Sequence, residues 1–487
     1  MRPRTLRLAL AKATVTFSTA LVALAIGLTG CGDDDGGGTP TFPVFGTDTA
    51  LLRVAHLSPD AGTVDVIVDE GSANGFRVDG AGFGVFSRFY EVPATFDGRT
   101  VNVKVRTPGG ADALDVSFEV LRGQVLTAVV IGKVNPQIDD GAGGFVDALR
   151  AIVVPGTVTP SPDEATLSFV HAAPSVPEVR VSAVGIPSPP LFEAVSFGEA
   201  TGRGTEIPPR SYGLQVRPTG SDAIAATFSG VAVEANTVYT LWAVETPEGG
   251  IAAIASIDRE STDSPTSPTV TIAPATATLR AAHLSVEAPE VQVLIDGEVV
   301  TGLESVGFGA FSDVLDITAA THRAQVFEAT ADPQVDDPVI DVTFTPLPGQ
   351  SLTLAATGSG DAAAAGQVLV YDDQTPGPGN ALVRLLHASS YGQAVSLVLV
   401  DESGSIRVHD NIASGAPATG FASVLAGTYT MEARLPALND FLIATVENVV
   451  IEDGDVLNVY FVGDGTPPIP GGDELTFIVD PQPTAGD

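Results

Sequence analysis

His56-Leu57-Ser58-Pro59-Asp60-Ala61-Gly62-Thr63-Val64-Asp65-Val66 is the stretch on which the reading of this chain turns, because its pattern returns. His171, His283 and His387 open three more stretches of similar build, and successive starts are 115, 112 and 104 residues apart. Eight residues after each histidine stands a valine: Val64, Val179, Val291 and Val395. Apolar residues then alternate in one register: Val66 and Val68, Val181 and Ala183, Val293 and Ile295, Leu397 and Leu399. A period of two places every second side chain on one face, which marks a strand. Self-similarity over about a hundred residues marks tandem domains.

Further landmarks keep their distance. Gly84, Gly198, Gly309 and Gly415 lie 26 to 28 residues beyond the histidine, the first three preceded by Phe83, Phe197 and Phe308. No helix pattern follows these glycines, so they read as a bend or bulge in a strand rather than a phosphate loop. Later strands contain Val116-Ser117-Phe118, Ala226-Thr227-Phe228, Val342-Thr343-Phe344 and Ala444-Thr445-Val446. Others start near Val125, Val238, Leu352 and Val456, and each copy closes with an apolar strand: Leu149–Val154, Ile251–Ile257, Gln367–Tyr371 and Leu475–Val479. About seven short strands per copy, with Gly, Pro, Asp and Asn turns and no helix signal, predict an all-β chain of four tandem immunoglobulin-like β-sandwiches. The expected boundaries are 49–156, 164–260, 276–374 and 380–481. Fuller apolar runs such as Val125–Ile131 suit central strands. The Pro-, Ser- and Thr-rich segments Pro155–Glu164, Ser261–Thr276 and Thr375–Asn380 read as semi-extended spacers, predicting beads on a string.

The opening stretch resembles a family of bacterial secreted domains of unknown function, whose first two strands read roughly H-x-S-P-D-x-x-x-V-D-V. The later copies are looser: His171-Ala172-Ala173-Pro174, His283-Leu284-Ser285-Val286 and His387-Ala388-Ser389-Ser390. The resemblance implies a repeated, immunoglobulin-like extracytoplasmic domain and carries no established activity.

The N-terminus reads as an address. Arg2, Arg4, Arg7 and Lys12 precede an uncharged apolar stretch, Ala13–Leu28, the layout of a secretory signal peptide over 1–30. Leu28-Thr29-Gly30-Cys31 resembles the bacterial lipobox. That resemblance implies cleavage before Cys31, a diacylglycerol on its thiol and acylation of the new amine, palmitate being an expected chain. Two or three acyl chains give stable anchoring where one is marginal. The acidic, Gly-rich segment 31–48 reads as a flexible tether. Expected localisation is the extracytoplasmic face of the bacterial envelope, with the outer membrane or cell surface favoured over the inner membrane.

Composition limits function. The chain has 487 residues, 23 Lys plus Arg against 59 Asp plus Glu, and a net charge of −36. Losing the signal's four basic residues brings this to about −40. No basic stripe is present, which argues against a nucleic-acid partner. One cysteine allows no internal disulfide. Zinc needs three or four clustered ligands, and His322 and His409 stand apart, so no metal and no cofactor is expected. Residues two and four before each repeat histidine are apolar, placing the ring on the core side, where it can donate to turn carbonyls and pin the loop. Metal ligation or general-base chemistry is the competing reading. Ser58 and Asp60 are not kept in the other copies, and no G-x-S-x-G elbow appears, which weighs against catalysis. The reading is a non-catalytic anchored lipoprotein whose modules bind or adhere to a protein or polysaccharide. A structural spacer of the envelope is the alternative, and a hydrolase is less favoured.

Overall fold

A computed structural model describes residues 48–107, 109–142, 144–156, 162–185, 189–202, 204–258, 264–286, 288–359, 362–371, 376–463 and 475–481. The signal, the lipobox, Cys31 and the tether up to residue 47 lie outside these. The chain divides into two compact units, Met1–Pro274 and Ala275–Asp487. Each holds two repeats, and each repeat is two sheets packed face to face.

Repeat 1 shows the plan. One sheet has Thr49–His56 at its centre, paired in parallel with Val125–Ile131, which pairs antiparallel with Arg150–Pro155. Val85–Phe86 and Tyr90–Pro93 line the other side of Thr49–His56. The second sheet runs Phe76–Ala81, Val64–Val68, Arg99–Arg106, Asp112–Val120. The same parallel pairing recurs in every repeat: Ala165–Ala172 with Thr237–Glu245, Thr276–His283 with Ser351–Ser359, and Asn380–His387 with Val456–Val462. Parallel neighbours require a long crossover, and here the whole second sheet supplies it. Among the described residues the strands number eight or nine per repeat, because the short segments around residues 76–93 and their counterparts also pair.

A corner tyrosine is built into two repeats. Tyr212 and Tyr429 each donate from the hydroxyl to the carbonyl four residues earlier, Pro208 and Leu425, at 2.8 Å. Such corners are a mark of immunoglobulin-like sandwiches. In repeat 3 His322 takes the position, its Nε2 2.9 Å from the Thr318 carbonyl and its Nδ1 2.7 Å from Asp296.

Within each unit the repeats are docked, not strung as beads. Val125–Ile131 is buried at every position, and so is Ala165–Ala172. Alternation disappears because both faces are covered. Leu126, Ala128 and Val130 fill the core of repeat 1, while Val129 and Ile131 join Ala55, Leu57, Phe86 and Val154 against Val170, Ala172, Trp242, Val244 and Ile254 of repeat 2. Inside this seam the Arg53 guanidinium lies 2.5 Å from Asp258 and over the rings of Phe86 and Phe89. Thr240 donates to the other Asp258 oxygen at 2.7 Å. Unit 2 repeats the design: Ala282, Leu284 and Ala355 meet Leu386, Ala388, Tyr460 and Val462, and Arg280 is ion-paired with Asp480.

The segment 261–276 is not a plain spacer. Thr269–Ile272 pairs antiparallel with Ala253–Ser256, adding an edge strand to repeat 2. Just before it, Ser267 donates from its N–H to Phe86 O at 2.9 Å and from its hydroxyl to Ser87 O at 2.7 Å, and Arg88 N–H donates to Pro265 O at 2.9 Å. One strap thus stitches the sheet edges of repeats 1 and 2 together.

Candidate functional site

The repeat histidines are the residues whose recurrence most invites a functional role. All four lie at the end of an inner strand of their sheet, His171 one residue before the last, and are at most 1% exposed. Nε2 of His56, His171, His283 and His387 lies 2.7, 2.9, 2.9 and 2.9 Å from the carbonyl six residues on: Gly62, Pro177, Pro289 and Gln393. A carbonyl only accepts, so Nε2 carries the hydrogen and Nδ1 is left to accept. In the first three copies Nδ1 faces the N–H two residues later, on Ser58, Ala173 and Ser285, at 3.5, 3.4 and 3.3 Å. Nδ1 of His387 has no hydrogen-bond partner among the described residues. The ring thus spans the turn between the first two strands and fixes its width. Burial pushes the imidazoles of His56, His171 and His387 below their ordinary value, while the bond to the carbonyl pulls the other way.

The recurring glycine belongs to the same assembly. Gly84, Gly198, Gly309 and Gly415 each donate their N–H to the histidine's own carbonyl, at 2.8, 2.7, 2.7 and 2.7 Å. Each is the third residue of a four-residue turn closed by Val85, Glu199, Ala310 or Ala416, with φ between +75° and +86°. That position demands positive φ, which glycine adopts without strain. It is therefore a β-turn, not a bulge within a strand. The phenylalanine before it sets its ring edge-on to the histidine in repeats 2 and 3.

The neighbouring polar residues add a loop contact by different means in repeats 1, 2 and 4. Asp60 accepts from the N–H groups of Val134 and Asn135 at 2.7 and 2.9 Å, tying the first loop to the loop after Val125–Ile131. In repeat 2 the carboxylate sits on the opposite partner. Glu245 accepts from the Ser175 hydroxyl at 2.6 Å and meets Lys133 of repeat 1 at 2.7 Å. In repeat 4 the Ser389 hydroxyl donates to Gly463 O at 2.6 Å. The variation at Ser58 and Asp60 is a change in how one loop contact is made. Glu245 escaped the sequence reading because it ends an apolar run with no motif around it.

The sequence holds adjacent aspartates at Asp139-Asp140, Asp336-Asp337 and Asp372-Asp373, and Asp139, Asp140 and Asp336 bond to the backbone of their own turns. Asp140 accepts from Ala142 and Gly144 N–H, and these bonds lower its carboxyl below the usual range. Asp336 accepts from Asp332 N–H at 2.8 Å, while Asp372 and Asp373 lie outside the described residues. Among the described residues no group of three or more His, Cys, Asp or Glu could hold a metal ion. No helix among them is long and apolar enough to cross a membrane. On the outer sheet of repeat 1, Glu70 sits between Arg106 and Lys104, which draw its carboxyl down to about 2.

The family described as a domain of unknown function, DUF4397, matches residues 50–182 and 277–398, together more than half of the chain. The chain belongs to the DUF4397 family. Each matched stretch begins in the first strand of an odd-numbered repeat and ends in the second strand of the next, so it takes in the histidine turns of both members of the pair. No curated protein matches the chain. Among solved structures it is similar to the Bacillus anthracis TIE protein, at 10% identity and a TM-score of 0.17, over 85% of this chain and 75% of that one.

Proposed function

We propose that this DUF4397 chain is a non-catalytic, lipid-anchored extracytoplasmic protein that presents docked pairs of β-sandwiches for binding to a protein or polysaccharide. The observation that carries the reading is the state of the four repeat histidines. Each is buried, and each is bonded to backbone by its Nε2. A general base must reach a substrate proton, whereas these rings hold a turn. Lys133, Glu245 and Asp60 are engaged in the same way. What the repeats offer to the outside is loop and sheet surface, and several modules on one tether add avidity. Cys31 at the end of a lipobox-like stretch supports the anchor.

The anchor is tested by metabolic labelling with an alkynyl palmitate in a bacterium expressing the full chain. Labelling and membrane recovery are expected for the natural sequence, with loss of both in Cys31→Ser. Equal labelling of the two would overturn the anchor. Protease shaving of intact cells then reports exposure: loss of the repeats supports surface display, and survival until the envelope is opened removes it.

A further inference from the structure

The two units are internal copies, and unit 1 shows what an edge present in both of them receives. Ser87 and Ser312 occupy the same place: their hydroxyls accept from Val54 and Ala281 N–H at 3.0 and 2.9 Å and donate to the next carbonyl, Arg88 and Asp313. Ile254 and Ile478 correspond likewise, opposite Trp242 and Tyr460 and 3.5 and 3.8 Å from where a Cβ on Gly84 and Gly309 would stand. In unit 1 the slot between Phe86–Arg88 and Ala253–Ser256 is filled by the strap Ser264–Ile272. In unit 2 no described residue pairs with the outer edge of Thr476–Pro481, and Phe311–Asp313 bonds only to Ala281 and Ala282 of its own sheet among the described residues. Exposure follows. Ser87 and Phe86 are buried at 0% and 1%, whereas Phe311 and Ser312 are half-buried and Asp313 is exposed. Ile254 is 1% exposed, whereas Ile478 is half-buried.

We infer that this slot of unit 2, between Phe311–Asp313 and Phe477–Asp480, is a strand-accepting site for an extended, Pro-punctuated Ser/Thr/Val segment of a partner protein. The chemistry of the occupant is read from the strap itself, Ser264-Pro265-Thr266-Ser267-Pro268-Thr269-Val270-Thr271-Ile272. Its prolines hold it extended, Ser267 bonds to two carbonyls, and Thr269–Ile272 forms the ladder. An open edge takes added strands through main-chain bonds, with neighbouring pockets setting preference. The site rests on the reading of the repeats as binding modules and is independent of the lipid on Cys31.

The test is hydrogen exchange on the full chain carrying Cys31→Ser, with and without a synthetic peptide of sequence 264–272. Without peptide, amides of 310–313 and 476–480 are expected to exchange faster than those of 86–88 and 253–256. Saturating peptide is expected to slow exchange at 310–313 and 476–480 about tenfold, and the same peptide N-methylated at Val270 and Ile272 to leave it unchanged. Equal protection of both units without peptide would overturn the inference, as would peptide protection elsewhere or none. Should the peptide protect only a chain cut after residue 481, the occupant is the chain's own tail and the partner-strand assignment falls. None of these outcomes touches the labelling of Cys31, so failure here and failure of the anchor are separable.

Discussion

Burial of an imidazole has a sign that can be measured. Because His56, His171 and His387 are held below the ordinary value of about 6.5, the folded chain binds fewer protons than the unfolded chain just below that pH. Their contribution to stability is therefore full above about pH 7 and shrinks as pH falls toward 5. Thermal melts of the natural chain and of His171→Gln at pH 7.5 and pH 5 check this. The variant is expected to be less stable at pH 7.5 by roughly 1–3 kcal/mol, with the gap narrowing at pH 5. A gap that widens would contradict the neutral, buried ring. At the glycine bonded to His56, Gly84→Ala forces an L residue to a φ of +80° while its Cβ meets Ile254 only at contact distance, and a loss of about 1–2 kcal/mol is expected in denaturant melts. The place of these residues was legible in the sequence: the spacing picked out both the histidine and the glycine, and alternation put the ring on the core side. What spacing did not carry was the partner of each group, since a carbonyl six residues on leaves no mark in side-chain identity.

At the scale of strands and seams, the period-two pattern located the second strand of each copy, and the long apolar runs located the penultimate one. Those runs also held the docking, in the failed alternation of Val125–Ile131, but a strand covered on both sides reads alike whether its second cover is a helix, a sheet of its own domain or a neighbour. The strap was hidden for a different reason: Ser, Thr and Pro make a spacer or an edge strand according to what lies beside them. The buried pair Arg53–Asp258 makes the seam testable. Removing one partner leaves a charge without its counter-ion, so Asp258→Ala is expected to cost about 3–5 kcal/mol. Replacing both, as Arg53→Met with Asp258→Leu, is expected to recover most of it. Trp242, the chain's single tryptophan, lies in this seam with no exposed surface, and its emission is expected to shift to the red in Asp258→Ala before the far-ultraviolet dichroism changes. Emission that stays put while the protein loses stability would show that the seam does not depend on the pair.

At the scale of the whole molecule, the working block is the docked pair. A lesion in one repeat of unit 1 is expected to reach the other. Val101, fully buried in the core of repeat 1, lies in a different repeat from Trp242. Val101→Ala is expected to lower the Trp242 fluorescence melt by the same few degrees as the dichroism melt, for a cost near 1–2 kcal/mol. Independent repeats would leave the tryptophan transition where it was.

The pairing also constrains how such a chain can change its length. A repeat carries an apolar outer sheet face that a second repeat must cover, and in each unit the arginine comes from one member and the aspartate from the other. Deleting or duplicating a single repeat would strand one such face in water and one charge without its counter-ion. Gene duplication and loss among chains built this way are therefore expected to proceed in steps of two, with the pair as the heritable unit.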